Sequence, residues 1–149
     1  MRAVHVLIAF TVLLAGCDSY PRDIEGTTKR VESEKVIRVG LVAGDVEQRN
    51  RRLIRLYLQR LASATGATPQ IITGAQEPML VRLEDGRLDL VIGVVAADSP
   101  WVADVALVEP LSEHDLAGRT VGLSPIARNG ENRWIMLLER EARDLKASA

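Results

Sequence analysis

The chain has little of the chemistry that disulfides, metal clusters and nucleic-acid surfaces require. Its 149 residues include one Cys and two His, which excludes an intramolecular disulfide and leaves too few ligands for a zinc cluster. Two Trp, two Tyr and one Phe leave the core to aliphatic residues and offer no platform for base stacking. The net charge of −1 gives no bulk attraction for nucleic acid, which we exclude as a partner. The length predicts one domain.

The first 16 residues have the three-part pattern of a secretory signal. Met1 and Arg2 give a positively charged start, residues 4–14 are almost entirely apolar, and small residues follow. The apolar run is shorter than the ~20 residues that span a bilayer. We expect residues 1–16 to be a cleaved signal peptide. The alternative is a buried helix or an uncleaved anchor, with Cys17 as an ordinary thiol.

The end of this signal, Leu14-Ala15-Gly16-Cys17, resembles the lipobox of bacterial lipoproteins. The resemblance implies cleavage before Cys17 and lipidation of its thiol with acyl chains such as palmitate. Asp18 resembles the inner-membrane retention signal of some Gram-negative bacteria. We therefore expect a protein on the periplasmic side of the cell envelope, anchored by lipid to the inner membrane.

Residues 18–35 are rich in charge and turn formers and have no apolar periodicity. This composition predicts a flexible tether, so that the lipidated Cys17 and the tether together occupy residues 17–35. The folded domain is then expected over residues 36–146.

From residue 36 onward, the apolar pattern alternates between strand and helix. The predicted order is a strand over residues 36–42, an amphipathic helix ended by Gly66, a strand over 70–73, a helix over 78–84, and a strand over 88–95. The apolar face of the first helix consists of Leu53, Ile54, Tyr57, Leu58, Leu61 and Ala62. Such alternation indicates right-handed βαβ crossovers. The predicted fold class is therefore α/β, a small three-layer domain with a mostly parallel sheet.

The pattern weakens after Pro100. We predict an extended segment over 102–108, a single helical turn over 112–117, and a strand over 120–127 interrupted by Pro125. Trp134, Ile135, Leu138, Ala142 and Leu145 then form the apolar stripe of a closing helix.

Three segments resemble lobe one of the family 3 extracellular solute-binding proteins, which are type II periplasmic binding proteins serving ABC transporters. They are the opening strand Ile37-Arg38-Val39-Gly40, the run Leu83-Glu84-Asp85-Gly86-Arg87-Leu88-Asp89-Leu90-Val91-Ile92-Gly93, and residues 105–111 with Glu109-Pro110. The resemblance implies solute capture and delivery to an inner-membrane permease.

Too few residues follow Glu113 for a second lobe. Residues 116–122 look like the family's entry into lobe two, whereas residues 121–134 look like the return strand and final helix of lobe one. We expect the second arrangement, because the closing helix has an apolar stripe that a sheet must cover. The domain is then a single lobe.

A binding site in an open parallel sheet is expected where the strands end. The candidate ligand-binding residues there are Asp45, Glu77, Asp98 and Trp101, and the three carboxylates suit a cationic group or a metal ion. Structural alternatives are a helix cap for Asp45, a favourable helix-dipole position for Glu77, and a turn for Asp98. Trp101 stands where the family places the Arg that grips an amino acid's α-carboxylate.

No catalytic site is predicted, because neither a Ser nor a Cys nucleophile stands in a recognisable motif with His114, which we expect to be a solvated loop residue. No cofactor is implied. The expected function is that of a membrane-anchored substrate-binding lipoprotein of, or derived from, an ABC transporter system, taking a small polar solute. The alternative is an accessory lipoprotein that docks a membrane transporter or sensor without binding a solute.

Overall fold

The computed structural model describes residues 21–44, 48–96 and 99–148. Within these ranges the elements, in chain order, are α1 (Thr27–Glu34), β1 (Val36–Val42), α2 (Gln48–Thr65), β2 (Thr68–Gly74), α3 (Gln76–Glu84), β3 (Leu90–Ala96), a short 3-10 helix (Pro100–Ala103), β4 (Val105–Leu107), β5 (Ser112–Leu116), β6 (Arg119–Arg128) and α4 (Asn132–Ala147).

The first half of the domain is the predicted βαβαβ unit. β1 pairs in parallel with β2 on one side and with β3 on the other. α2 ends at Gly66 and α3 ends before Gly86, and both glycines have positive φ, at 64° and 67°. These are the two helix ends at which the sequence placed a glycine stop, since glycine adopts this conformation at no steric cost.

The sheet is covered by helices on both faces. α2 and α4 pack on one face over Ile37, Val39 and Ile92, while α3 packs on the other face over Val91 and Val95. Leu58 and Leu61 of α2 and Leu138 of α4 are at most 5% exposed. Each fully buried side chain of this kind stabilises the fold by about 1.5–3 kcal/mol. The predicted three-layer α/β class is confirmed.

Two glycines let α3 lie close to the sheet. A Cβ atom on Gly74 would stand 2.3 Å from Cε of Met79, and one on Gly40 would stand 2.9 Å from Cδ1 of Leu88 and 3.1 Å from Sδ of Met79. A side chain at either position would therefore force the Met79 side chain to repack, and one at Gly40 would also displace Leu88.

The sheet order is β2-β1-β3-β6-β4, and β5 also pairs with β6. β6 runs antiparallel to β3, β4 and β5. The predicted interruption of this strand at Pro125 is wrong. The Pro125 carbonyl accepts a hydrogen bond from the Val108 N–H. The nitrogen of Pro125 faces the same side of β6 as its carbonyl, in the gap between β4 and β5. Proline is tolerated there because no strand needs a backbone N–H from this residue.

The helical turn predicted over residues 112–117 is also wrong. Residues 112–116 form β5, which makes a hairpin with β6. Ala117 and Gly118 connect the two strands with φ of 50° and 80°. Positive φ at both central residues is the pattern of a type I′ turn, whose twist matches that of paired strands. Residues 121–134 are thus the return strand and final helix of the same lobe, as expected.

The flexible tether predicted over residues 17–35 is wrong where the structure describes it. Residues 27–34 form α1, and its Val31 is fully buried in the core shared with α2 and α4. The segment preceding α1 pairs with the start of α4, where the Ile24 N–H donates to the Gly130 carbonyl at 3.2 Å. The domain therefore includes residues that composition assigned to a linker.

Two carboxylates hold this segment in place. Glu131, only 1% exposed, accepts hydrogen bonds from the Glu25 N–H at 2.7 Å and the Thr27 N–H at 2.8 Å. Asp23 accepts one from the Thr28 N–H at 2.8 Å and one from the Trp134 N–H at 2.9 Å. The carboxylates thus satisfy free N–H groups at the starts of both α1 and α4, which the helices cannot satisfy themselves.

Asp89, the one charged residue of the predicted third strand, ties α1 to the sheet. Its carboxylate is buried and pairs with Arg30 of α1 and with Arg38 of β1, whose Nη2 lies 2.6 Å from Oδ1. The Asp89 carbonyl also accepts a hydrogen bond from Nε1 of Trp134 at 2.8 Å. Arg30, Arg38 and the Arg38 backbone N–H, which donates to Oδ2 at 2.7 Å, therefore offset the desolvation of this carboxylate.

We predict that Glu131→Gln will release α1 while the sheet stays folded. The amide offers one acceptor where the carboxylate offers two, and its NH₂ group would face a backbone N–H. We expect the free energy of unfolding to fall by about 1–3 kcal/mol. Hydrogen exchange at Thr27 and Thr28 should accelerate most. Glu32→Gln, at an exposed position of α1, is the control; equal effects of the two changes would contradict the assignment.

Candidate binding rim

The carboxyl ends of the parallel strands meet at one edge of the sheet. Val42 and Gly74 are in register at the ends of β1 and β2, and the Ala43 N–H donates to the Gly74 carbonyl at 2.8 Å. β3 continues to Ala96. We call this edge the rim; its described residues are 43–44, 74–77, 96 and 99–100. In open α/β sheets, ligands bind at such an edge.

One of the four candidate ligand-binding residues, Glu77, lies in the described part of the rim, whereas the 3-10 helix that holds Trp101 leads away from it toward Ala103, whose carbonyl accepts from Nδ2 of Asn129 at 3.2 Å. Glu77 is exposed in the first turn of α3, where the helix dipole favours its negative charge. Trp101 lies in the 3-10 helix after β3 and is half-buried against the apolar cluster that α3 forms with the sheet. Asp45, Asp98 and the lipidation candidate Cys17 fall outside the described residues.

The β5–β6 hairpin extends the rim in a way that sequence reasoning missed. Ala96, the last residue of β3, is in register with Val121 of β6, which in turn pairs with His114 of β5. The Ala117-Gly118 turn therefore lies beyond the end of β3. The sequence around Gly118 could have predicted this hairpin, because a glycine in a two-residue connection is typical of hairpins.

The hairpin brings charged side chains to this edge. Glu113, His114 and Asp115 are exposed on β5, and Oγ1 of Thr120 donates to Oδ1 of Asp115 at 3.0 Å. His114 is solvated as expected, but on a strand rather than in a loop. Arg119, also exposed, is a basic residue of the hairpin. The acidic side chains predicted for the rim are thus joined by one further carboxylate, Asp115, whereas Glu113 lines the groove between α2 and α4.

A groove of about 1290 Å³ lies between α2, α4 and the start of β5. Its lining includes Leu56, Gln59, Arg60, Glu113 and Glu141. Arg60 is already paired there, with Nε 3.2 Å from Oε2 of Glu141 and Nη2 3.3 Å from Oδ2 of Asp144. These ion pairs join the two helices, so the arginine's charge is engaged within the protein.

Burial changes the pKa of a tyrosine near this groove. Tyr57 of α2 donates to the Leu138 carbonyl of α4 at 3.0 Å. Burial raises the pKa of the Tyr57 hydroxyl well above 10, and the nearby Glu141 carboxylate raises it further. Farther along α4, a hydrogen bond from Lys146, 2.7 Å away, lowers the pKa of the exposed Glu109. Both groups serve helix packing and lie outside the rim.

The described ranges contain no cluster of three or more His, Cys, Asp or Glu side chains placed to hold a metal ion. Over the same ranges, no helix combines the length and the hydropathy that a membrane span requires.

Solved structures share this fold. Domain 1 of TmArgBP in its arginine-bound form, from T. maritima, matches 80% of this chain and 98% of its own length with a TM-score of 0.66 and 16% identity. The unliganded L-cystine solute receptor of Neisseria gonorrhoeae matches 80% of this chain and 91% of its own, with a TM-score of 0.61 and 13% identity.

An ancestral cationic amino acid solute-binding protein matches 83% of this chain and 95% of its own, with a TM-score of 0.68 and 10% identity. No protein-family model matches the chain, and a comparison with curated proteins finds no match. The chain therefore has the fold of one lobe of a type II periplasmic binding protein.

We predict that Ala117→Asn will stabilise the hairpin. Ala117 adopts φ of 50°, and a left-handed conformation costs a residue with a Cβ roughly 1–2 kcal/mol. Asn tolerates this conformation, and Asn-Gly is the preferred type I′ pair. The free energy of unfolding should rise by roughly 0.5–1 kcal/mol in urea titrations. A decrease would contradict the assigned turn type; Ala103→Asn at the 3-10 helix is the matched control.

Proposed function

We propose that this chain is a membrane-anchored substrate-binding lipoprotein, of or derived from an ABC transporter system, which takes a small polar solute with a cationic group at the rim. The observation that carries the proposal is a single lobe whose described strand ends carry exposed carboxylates. Glu77 and Asp115 contribute these charges.

The structural neighbours support a binding role. Domain 1 of TmArgBP is a single lobe described in an arginine-bound form, so in that protein one lobe holds a solute. The other neighbours reported above are solute-binding proteins for cystine and for cationic amino acids. One neighbour is described as a precursor of cyclohexadienyl dehydratase. We propose that the present chain is not an enzyme, because its sequence lacks a nucleophile motif.

The chemistry of the rim favours a cation over an amino acid carboxylate. An exposed ion pair contributes only about 0–1 kcal/mol, so several carboxylates must act on one ligand. By the resemblance, Trp101 stands where the family places the Arg that grips a carboxylate, so that grip is missing here. Guanidinium compounds and polyamines therefore fit better than dicarboxylic acids.

We expect arginine, putrescine or spermidine to raise the melting temperature, with succinate as the anionic comparison. Ligand at 100 times its Kd stabilises the folded state by about 2.7 kcal/mol. For a chain of this size, the shift is then several degrees, at roughly 2–4 °C per kcal/mol. Glu77→Gln should reduce the shift, whereas Glu32→Gln, on α1, should not. The absence of a shift with every cation would contradict solute binding at the rim.

The anchor has its own test. Attachment must come from acyl chains, because the mature chain carries slight negative charge. We expect Cys17→Ala to abolish the acyl mass on the mature N-terminus and to move the protein from membrane to soluble fractions. Asp18→Ser should shift the acylated protein from inner to outer membranes. Membrane retention of a Cys17→Ala protein from which the signal peptide has been removed would contradict lipid anchoring.

A second candidate is an accessory lipoprotein that docks a transporter or sensor without a solute. Strand β2 favours it, because this edge strand exposes Ile71 by 50% and Ile72 by 39%. Exposed apolar side chains on an open edge are typical of surfaces that pair with another chain. A solute screen without any melting shift, combined with an in-membrane crosslink to a second protein through β2, would support this role.

A further inference from the structure

The domain begins close to the proposed anchor. Only residues 18–20 separate Cys17 from Pro21, the first described residue. Whatever path these residues take, covalent geometry limits the distance between the Cα atoms of Cys17 and Pro21 to about 14 Å. A flexible tether over residues 18–35 would have allowed a far larger distance between Cys17 and the domain. Because residues 27–34 form α1, the connection to the anchor is short.

The chain enters the domain at the edge opposite the rim. Residues 23–27 are held by Glu131 and Gly130, which follow the carboxyl end of β6. β6 is antiparallel to β3, so this end lies beside the amino-terminal ends of the parallel strands. We call this edge the anchor edge; its residues are 21–26, 35, 87 and 129–130. A seven-residue strand such as β1 spans roughly 23 Å, which separates the two edges.

The anchor edge carries an apolar residue where the chain enters. Ile24 is 76% exposed, although its side chain packs beside Gly130, and Lys35 is exposed on the same edge. An apolar side chain and a basic residue on one edge suit the boundary between phospholipid headgroups and acyl chains.

From the short connection to Cys17 and the place where the chain enters the domain, we propose that the anchor edge faces the phospholipid headgroups of the bilayer that holds Cys17. The rim then faces away from this bilayer. This inference rests on the proposed lipid anchor. It implies that the solute or the partner reaches the rim from the side of the compartment, which suits a chain derived from an ABC transporter system better than one that delivers its solute to a permease in the same bilayer.

Cys17 makes a site-specific test feasible, because it is the single cysteine of the chain and acylation consumes its thiol. Asn129→Cys on the anchor edge and Ala75→Cys on the rim are both at exposed positions and can each be labelled with bimane. The acylated proteins are reconstituted into phosphatidylethanolamine and phosphatidylglycerol vesicles that contain a lipid with a nitroxide headgroup.

We expect the nitroxide to quench the label at position 129 several-fold more than the label at position 75. Inserting a Gly/Ser linker of about twenty residues after Ser19, with a span of roughly 25 Å, should bring the two values together. Equal quenching without the linker, or stronger quenching at position 75, would overturn the orientation. Mass spectrometry separates the two failures: a missing acyl mass overturns the anchor and the orientation together, whereas an intact acyl mass with equal quenching overturns the orientation alone.

Discussion

The buried carboxylate of Glu131 is the contact on which the arrangement of this domain depends. It satisfies backbone N–H groups that lead into α1 and stands where α4 begins, so a single side chain joins the two ends of the described chain. Asp23, which precedes α1, makes a second connection by accepting hydrogen bonds from the Thr28 N–H of α1 and the Trp134 N–H of α4. Burying a carboxylate is costly unless its oxygens are hydrogen-bonded, and here the free donors of the helix starts supply those bonds. The consequence is that the amino-terminal segment belongs to the lobe.

The parallel half of the fold could be predicted because its signals are local. Each strand and helix from residue 36 to residue 96 shows its own apolar periodicity, and Gly66 and Gly86 end the helices where positive φ is required. Segment α1 could not be found this way. Its helix buries a single apolar side chain, Val31, and the Glu25 N–H meets its acceptor 106 residues away along the chain. A partner so distant leaves no periodic pattern in the segment itself.

The same reasoning explains the errors after Pro100. The β5 sequence, Ser-Glu-His-Asp-Leu, contains no β-branched residue, and it becomes a strand because β6 offers it a ladder. Pro125 looked like a strand breaker, yet its nitrogen faces a gap in the pairing. Of the rim, the sequence located the strand ends and the position of Glu77, whereas Trp101 lies in a 3-10 helix that leads away from the rim. The hairpin carboxylate of Asp115 was missed because it reaches the rim only through that non-local pairing.

A lone lobe with an ordered start combines a binding edge and an anchoring edge at opposite ends of one sheet. The central claim is that a cationic solute binds where the parallel strands end. Chemical-shift mapping of the isotope-labelled domain during titration with arginine or spermidine tests this claim most directly. The account predicts that the largest amide shifts cluster at residues 43–44, 74–77 and 99–100 and on the β5–β6 hairpin. Shifts confined to the groove between α2 and α4, or none at saturating solute, would contradict it.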